Sequence, residues 1–312
     1  MKPLLTYLIF MIFATAFPLS AATQPDSPHR VVVSGGSITE IIYALQEQQR
    51  IIGVDSTSVF PASATQKPQI GYVRRISAEG ILSLNPDLVL GESDTGPKKV
   101  VEQLKKTGVN LVILNEHDNF LGIEKKIKNI AQLLNVPAKG DVLVQSLQAD
   151  RNALAHILKQ AKTKPNVLFV LSVRSGQPIV AGAGTSANEL ITAAGGVNAA
   201  ASAITNWKPL STEAALAINP DIIITMGRHG DDPLPKIEKL AHFKYTNAVK
   251  NGQVHSFDGS YLLGMGPRTP QAVVELAHTF HPKTRLPSGY NYQFLQTAQS
   301  TTDKATNKTS DL

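Results

Sequence analysis

The residues best suited to chemistry in this 312-residue chain are Tyr72, Arg74 and Arg75, in the run Gly71–Leu90 just before a short serine-capped helical pattern. A phenolate is a hard oxygen donor suited to ferric iron, and tyrosine is among the side chains that ligate haem iron. A free phenol titrates near pH ~10, so ligation at neutral pH needs positive charge close by. The guanidinium of Arg74, two residues on, and the Fe³⁺ charge itself would both stabilise the anion. The same residue types also fit a plainer arrangement, a ring packed on the surface with its hydroxyl in water. Spacing alone leaves both open.

Arg228 and His229 follow the β-branched run Ile222–Thr225, and Arg174 follows a strand pattern over Asn166–Leu171. In open α/β sheets ligands gather beyond the carboxyl ends of the strands. Each position is therefore a candidate for a ligand pocket, with a solvated loop charge as the alternative. Other motifs fall away. Gly182-Ala183-Gly184-Thr185-Ser186-Ala187 matches G-x-G-x-x-A, yet after Glu189 the next acid is Glu213, inside another helix; a dinucleotide site needs one about 20 residues on. Ser34-Gly35-Gly36-Ser37 lacks the lysine of a phosphate loop. Both are expected to be glycine turns leading into helices. No serine sits in G-x-S-x-G, cysteine is absent, and of eight histidines only His278 and His281 are near neighbours, where they suit the end of a helix. The sequence supports neither a hydrolase constellation nor a clustered metal site.

Strands and helices in alternation must position these residues. Strand patterns at Arg30–Val33, Arg50–Val54, Leu88–Leu90 and Asn110–Leu114 alternate with helical ones at Ile38–Leu45, Ser77 onward, Lys98–Thr107 and Ile123–Leu134. That alternation predicts parallel α/β layers. Asp141–Ala161 carries one long amphipathic pattern without Gly or Pro, a single helix of about five to six turns. The plan then repeats, and Ser77–Asp87 returns as Ser211–Asp221 with six of eleven positions identical: Ser, Glu, Leu, Asn, Pro and Asp. A pair of such units far apart predicts two similar lobes with a cleft between them, held by a helix stiffer than a glycine-rich linker. The final helix is expected over Thr269–Phe280.

Residues 1–22 have the pattern of a cleavable export signal: basic Lys2, an apolar Leu4–Phe17, then Ser20 and Ala22 at the small positions. The apolar run is shorter than the ~20 residues of a membrane span, and no cysteine is available for a lipid anchor. A periplasmic location follows. The remainder is long enough for two domains with their own cores. The expected boundaries are an N-terminal lobe at 23–139, a connecting helix at 140–163, a C-terminal lobe at 164–282 and a disordered polar tail at 283–312. Net charge is +6, but it is scattered and aromatics are only 6%, so nucleic-acid binding is not expected.

The chain resembles the periplasmic substrate-binding proteins of ABC importers for haem. The resemblance is carried by Gly36–Leu45, Ile52-Gly53-Val54-Asp55, Gly71–Leu90, Ala181–Thr185, the second repeat at 211–225, and Leu263-Gly264-Met265-Gly266-Pro267-Arg268-Thr269. It implies an α/β fold: two similar lobes, mainly parallel sheets, one long joining helix, and haem b, the transported ligand, held between them. It places the axial tyrosine at Tyr72, the arginine near the phenolate at Arg74, and a second-lobe pocket arginine at Arg228, with Arg174 a weaker candidate. Some members add a histidine after the second lobe's first strand; Ser172–Gly176 has none, which implies five-coordinate haem. The resemblance also implies docking on an inner-membrane ABC permease dimer with its ATPase through one glutamate per lobe, Glu79 and Glu213, and no catalysis. Each glutamate is expected near a helix N-terminus on its lobe's outer shoulder, away from the cleft loops. An outer-membrane haem receptor would act upstream. A ferric-siderophore or cobalamin binder would keep the fold without needing the tyrosine, and an exported α/β enzyme using the same cleft is the further alternative.

Overall fold

Strand and helix alternate from Val31 to Phe280 in the computed structural model, which describes residues 27–227 and 233–292. The expected signal at 1–22, Arg228, His229 and the tail from 293 lie outside the described residues. The first lobe contains β1 (Val31–Ser34), α1 (Gly36–Ala44), β2 (Ile51–Val54), β3 (Gly71–Tyr72), β4 (Arg75–Ile76), α2 (Ala78–Ser83), β5 (Leu88–Glu92), α3 (Lys98–Lys106), β6 (Leu111–Leu114) and α4 (Phe120–Leu133). Its four-stranded sheet runs β2-β1-β5-β6, all parallel. After α5 (Pro137–Ser146) and α6 (Gln148–Gln160) come β7 (Asn166–Arg174), β8 (Gln177–Ala181), α7 (Ser186–Ala193), β9 (Val197–Asn198), β10 (Trp207–Pro209), α8 (Thr212–Ile218) and β11 (Ile222–Gly227). The chain closes with α9 (Leu234–Lys239), α10 (Asn247–Lys250), β12 (Val254–Asp258), α11 (Gly259–Leu263) and α12 (Thr269–Phe280). The second sheet is mixed, in the order β10-β8-β7-β11-β12, with the short β9 also on β7. The α/β, two-lobed architecture is as the sequence predicts.

The repeat builds the same device twice. Ser77 Oγ accepts the Gly80 N–H at 3.0 Å and Ser211 Oγ the Ala214 N–H at 3.2 Å, capping α2 and α8. Asn85 and Asn219 then take left-handed backbone, φ 50° and 41°, which asparagine tolerates better than most residues. The Asp87 carboxylate accepts the His29 N–H at 2.8 Å and Asp221 accepts the Asn166 N–H at 2.9 Å. Each aspartate thus ties the start of its own strand to the start of the lobe's first strand.

Every central strand is covered on both faces, which explains its nearly unbroken apolar sequence. Val32 and Val89 face an outer cluster with Ile81 and Leu104, and Leu168 and Ile223 face a corresponding one with Phe243. The inward residues of both sheets, Val31, Val33, Leu88 and Leu90 with Val167, Phe169, Ile222 and Ile224, belong to one contiguous cluster with α4, α6 and α12. The two lobes therefore do not have wholly separate cores, contrary to the expectation from length.

The connecting helix also departs from its pattern. It begins earlier, at Pro137, and breaks at Leu147, whose N–H reaches back to Val144 O at 3.2 Å in a tightened turn. No Gly or Pro causes this. α5 packs on α4, close enough that a Cβ on Gly140 would stand 2.6 Å from Ala131 Cβ, while α6 packs on α12. The break lets each half follow a different neighbour. Residues 283–292 have no regular structure but are not a free tail: Tyr290 donates its hydroxyl to Asp150 at 2.7 Å, Arg285 exchanges hydrogen bonds with Gln160, and Leu286 joins the core.

Candidate functional site at the sheet rims

Tyr72 stands on a hairpin held over the carboxyl ends of the first sheet's strands. Residues 55–70, which follow β2, lead into β3, and β3 pairs with β4 through Tyr72 opposite Arg75. The turn residues Val73 and Arg74 have no left-handed backbone, so the hairpin lacks the turn type that stabilises two-residue loops. Its support comes from outside. Gly71 O accepts the Ser56 N–H at 2.8 Å, Val73 O accepts the Gly96 N–H at 2.9 Å, and Val73 and Ile76 are buried. Gly71 has φ 108° and a Cβ there would lie 2.5 Å from Arg75 O, so only glycine fits. The segment is an anchored hairpin.

The tyrosine hydroxyls differ in commitment and exposure; those of half-buried Tyr43 and Tyr292 make no hydrogen bond among the described residues. Tyr261 donates to Glu275 at 2.8 Å and accepts from Gln271 at 3.0 Å, and Tyr290 donates to Asp150; burial pushes both phenols well above their usual range. Tyr72 is 41% exposed and its hydroxyl has no hydrogen-bond partner among the described residues. Tyr245 is also exposed, but it precedes Ala248, which bonds Pro220 at the amino-terminal side of β11, far from either rim. Arg74 pairs with Asp94 through Nε at 2.9 Å in an open position. The residue across the strand pair from Tyr72 is Arg75, and directly opposed residues share a face. In the sequence Arg75 stands in the same run without an assigned role; the signal for one is its i, i+3 spacing from Tyr72 around a two-residue turn.

On the second sheet β11 ends at Gly227, and Arg228 follows outside the described residues. Arg174 is not in a loop, as expected from sequence, but is the last residue of β7. It pairs with Gln177 of β8 across the turn Ser175-Gly176, both left-handed at φ 47° and 78°, which is the hairpin geometry that matches strand twist. The two rims meet at Arg268, which follows β12 and α11. Its guanidinium forks onto Glu40 of α1, Nε to Oε2 at 2.9 Å and Nη2 to Oε1 at 2.6 Å, and lies 3.6 Å from the ring centroid of Phe60 in the loop after β2. Burial pushes the Glu40 carboxyl up, against the hydrogen bonds and charge of Arg268.

The glycine turns are filled by the protein itself. The Gly35 N–H at the start of α1 goes to Asp55 Oδ1 at 2.8 Å, the Gly36 N–H to Thr57 Oγ1 at 3.0 Å, and Ser37 bonds both Glu92 and Lys126. A phosphate would find this helix end occupied. At Gly182 a Cβ would fall 2.2 Å from Ile204 O, so that glycine serves close backbone packing. Two adjoining open hollows of about 420 and 450 Å³ lie along the edge strand β6 and the turn that leads from its carboxyl end into α4, beside Asn115, Glu116 and Asn129.

Glu79 and Glu213 occupy the second helical position of α2 and α8, both exposed. The own backbone N–H of Glu213 and the Ser211 hydroxyl hold its carboxyl below the usual range. Neither stands away from the cleft loops. The Ser77 N–H bonds Ile70 O and the Ile70 N–H bonds Val54 O, at the carboxyl end of β2; the Leu210 N–H bonds Pro178 O, beside the carboxyl end of β7. A helix that precedes a parallel strand runs antiparallel to it, so its N-terminus falls on the rim side. Both glutamates therefore flank the same rims as Tyr72.

Two lobes meeting at their carboxyl rims match a known family: the model described as "Periplasmic binding protein" covers residues 31–261. The chain belongs to that family. It is similar to the solved periplasmic heme-binding protein RhuT from Roseiflexus sp. RS-1, with 36% identity and a TM-score of 0.76 over 82% of this chain and 99% of that one. It is 31% identical to the uncharacterized ABC transporter substrate-binding lipoprotein YvrC of Bacillus subtilis, over 84% of this chain and 83% of YvrC. It is also 26% identical to the vitamin B12-binding protein of Vibrio parahaemolyticus, over 85% and 94%. The family and these relatives are binding proteins of transport systems, which removes the enzyme alternative. Members work with an ABC permease and its ATPase. No helix among the described residues is long and apolar enough to cross a membrane.

Proposed function

We propose that this substrate-binding protein carries haem, held between the two rims with Tyr72 as the axial ligand, and delivers it to an inner-membrane permease after export through the segment 1–22. The observation that carries the reading is Tyr72, a phenol with an uncommitted hydroxyl fixed on an anchored hairpin at the ligand-binding rim. A buried phenol committed to a carboxylate, like Tyr261, could not serve. Likeness to RhuT supports the same cargo. Arg75, across from Tyr72, joins Arg74 in favouring the phenolate, and Arg228 and Arg174 supply positive charge for propionates from the second lobe. Likeness to the B12-binding protein favours cobalamin as the second reading, and a corrinoid needs no phenolate.

Titration of the purified protein with haemin and with cyanocobalamin decides between them. Haemin should bind with a high-spin ferric spectrum and cobalamin should leave the protein unchanged; saturable cobalamin binding without haemin binding would overturn the reading. A charge-assisted contact is worth about 1.5–3 kcal/mol, roughly 10- to 150-fold in affinity. Arg74→Ala and Arg228→Ala should each weaken haemin within that range, and parent-like affinity in both would make them solvated surface charges.

Glu79 and Glu213, on exposed helix N-termini at matching places, are the docking pair for the permease. Rim charges act mostly on encounter and register. Each single Glu→Ala should reduce haem uptake by the reconstituted transporter moderately and the double variant severely, with haemin affinity intact. Full uptake by the double variant would leave these acids serving only their own helices.

A further inference from the structure

Six identities make up the repeat, and three of them have a plain structural use. The serines cap, the asparagines turn left-handed, and the aspartates tie strand starts together. Proline follows the asparagine in the turn between helix and strand, and glutamate and leucine remain. Residues three apart lie on one helix face, so Glu79 with Leu82, and Glu213 with Leu216, present the same acidic and apolar pair twice. Leu216 is 42% exposed and Leu82 is half-buried at the margin of the outer cluster. An apolar side chain left in water contributes little to folding, and Ala214, Ala215 and Ala217 around Leu216 show that small residues suit this helix.

We infer that Leu82 and Leu216 are the apolar anchors of the docking surface, each entering a hollow beside the basic group that meets the neighbouring glutamate. The inference rests on the docking reading above and specifies its partner. Two like patches on one chain fit a protein surface whose two halves are related by a two-fold axis, each half offering one basic side chain and one apolar hollow. The permease dimer is that occupant. Charge would set encounter and register, while the leucines, shielded from water on contact, would set how long the complex lasts.

The test measures affinity of the haemin-loaded protein for its cognate permease–ATPase complex in nanodiscs, at low and high salt. Leu216→Ser and Leu82→Ser/Leu216→Ser should each bind more weakly, the double variant by about 10-fold or more, with the loss appearing in the dissociation rate. Their salt dependence should match the parent, and Leu216→Met should restore binding. Haemin titration of each variant reports an intact fold, and the exposed Leu216 keeps the test valid if Leu82→Ser destabilises its lobe. Parent-like transporter affinity in Leu216→Ser and the double variant would overturn the inference. So would a self-associated parent that Leu216→Ser turns into monomer without effect on the transporter. Glu79→Gln/Glu213→Gln run alongside separates the two ideas: if it binds like the parent, the docking reading itself fails, whereas a loss there with none in the leucine variants sinks only the anchors.

Discussion

Arg268→Ala should lower stability by about 3–5 kcal/mol, the cost of removing one partner from a buried ion pair. Side-chain exposure is 10% for Arg268 and 7% for Glu40, so the deserted carboxylate would have no water to turn to. Loss of the stack on Phe60 adds to the penalty. Burial already pushes the Glu40 carboxyl up, and without the guanidinium nothing equivalent opposes that push. A carboxyl whose folded pKa lies above its unfolded one favours the native state below the unfolded pKa, and that support is lost as pH rises through the folded pKa. The deficit of Arg268→Ala should accordingly be smallest in mild acid and grow toward neutral pH. Arg268→Met with Glu40→Gln, which leaves no buried charge, should recover much of the loss. Urea unfolding of the three proteins across pH measures this, and a loss in Arg268→Ala below about 1 kcal/mol would show that the pair is hydrated in solution. Because the pair joins α1 of one lobe to the segment before α12 of the other, its removal should also loosen the lobes against each other and weaken cargo binding.

Tyr72→Phe should leave the fold unaffected while abolishing the ferric haem signature. The substitution removes only a hydroxyl that bonds nothing among the described residues, on a side chain 41% exposed, and such surface changes usually fall within about 0.5 kcal/mol. For cargo the same atom is the ligand. The tyrosinate-to-iron charge-transfer band should vanish and affinity should fall by at least about 100-fold, the upper end of what losing a mere hydrogen-bond partner of a ligand costs. Parent haem binding should also weaken as pH falls, because protons compete with iron for the phenolate. Absorption spectra and haemin titrations of both proteins provide the check. An unchanged band in Tyr72→Phe would place the iron on another side chain.

Much of this protein was written in local signals. Ser77 and Ser211 cap helices because a hydroxyl reaches an N–H three residues on, a relation visible in any stretch of sequence. The span Thr269–Phe280 was expected for the last helix and is observed without shift, since Pro270 favours a first turn and the apolar period runs unbroken to its end. The repeated Asn-Pro-Asp likewise predicted two similar lobes. The tertiary structure decided what depends on distant partners. At Leu147 the helix breaks with no Gly or Pro at the break, because α5 and α6 answer to different neighbours. The strand pattern stops at Leu171 because polar residues follow, yet β7 runs on to Arg174 and turns into β8; Ser-Gly between two apolar runs is a usable turn signal. Glu40 and Arg268 lie near opposite ends of the chain, and no periodicity pairs them. Whether a tyrosine hydroxyl is committed or uncommitted, and which rim a glutamate stands on, is fixed by what the completed fold brings beside it. Composition alone holds no record of that.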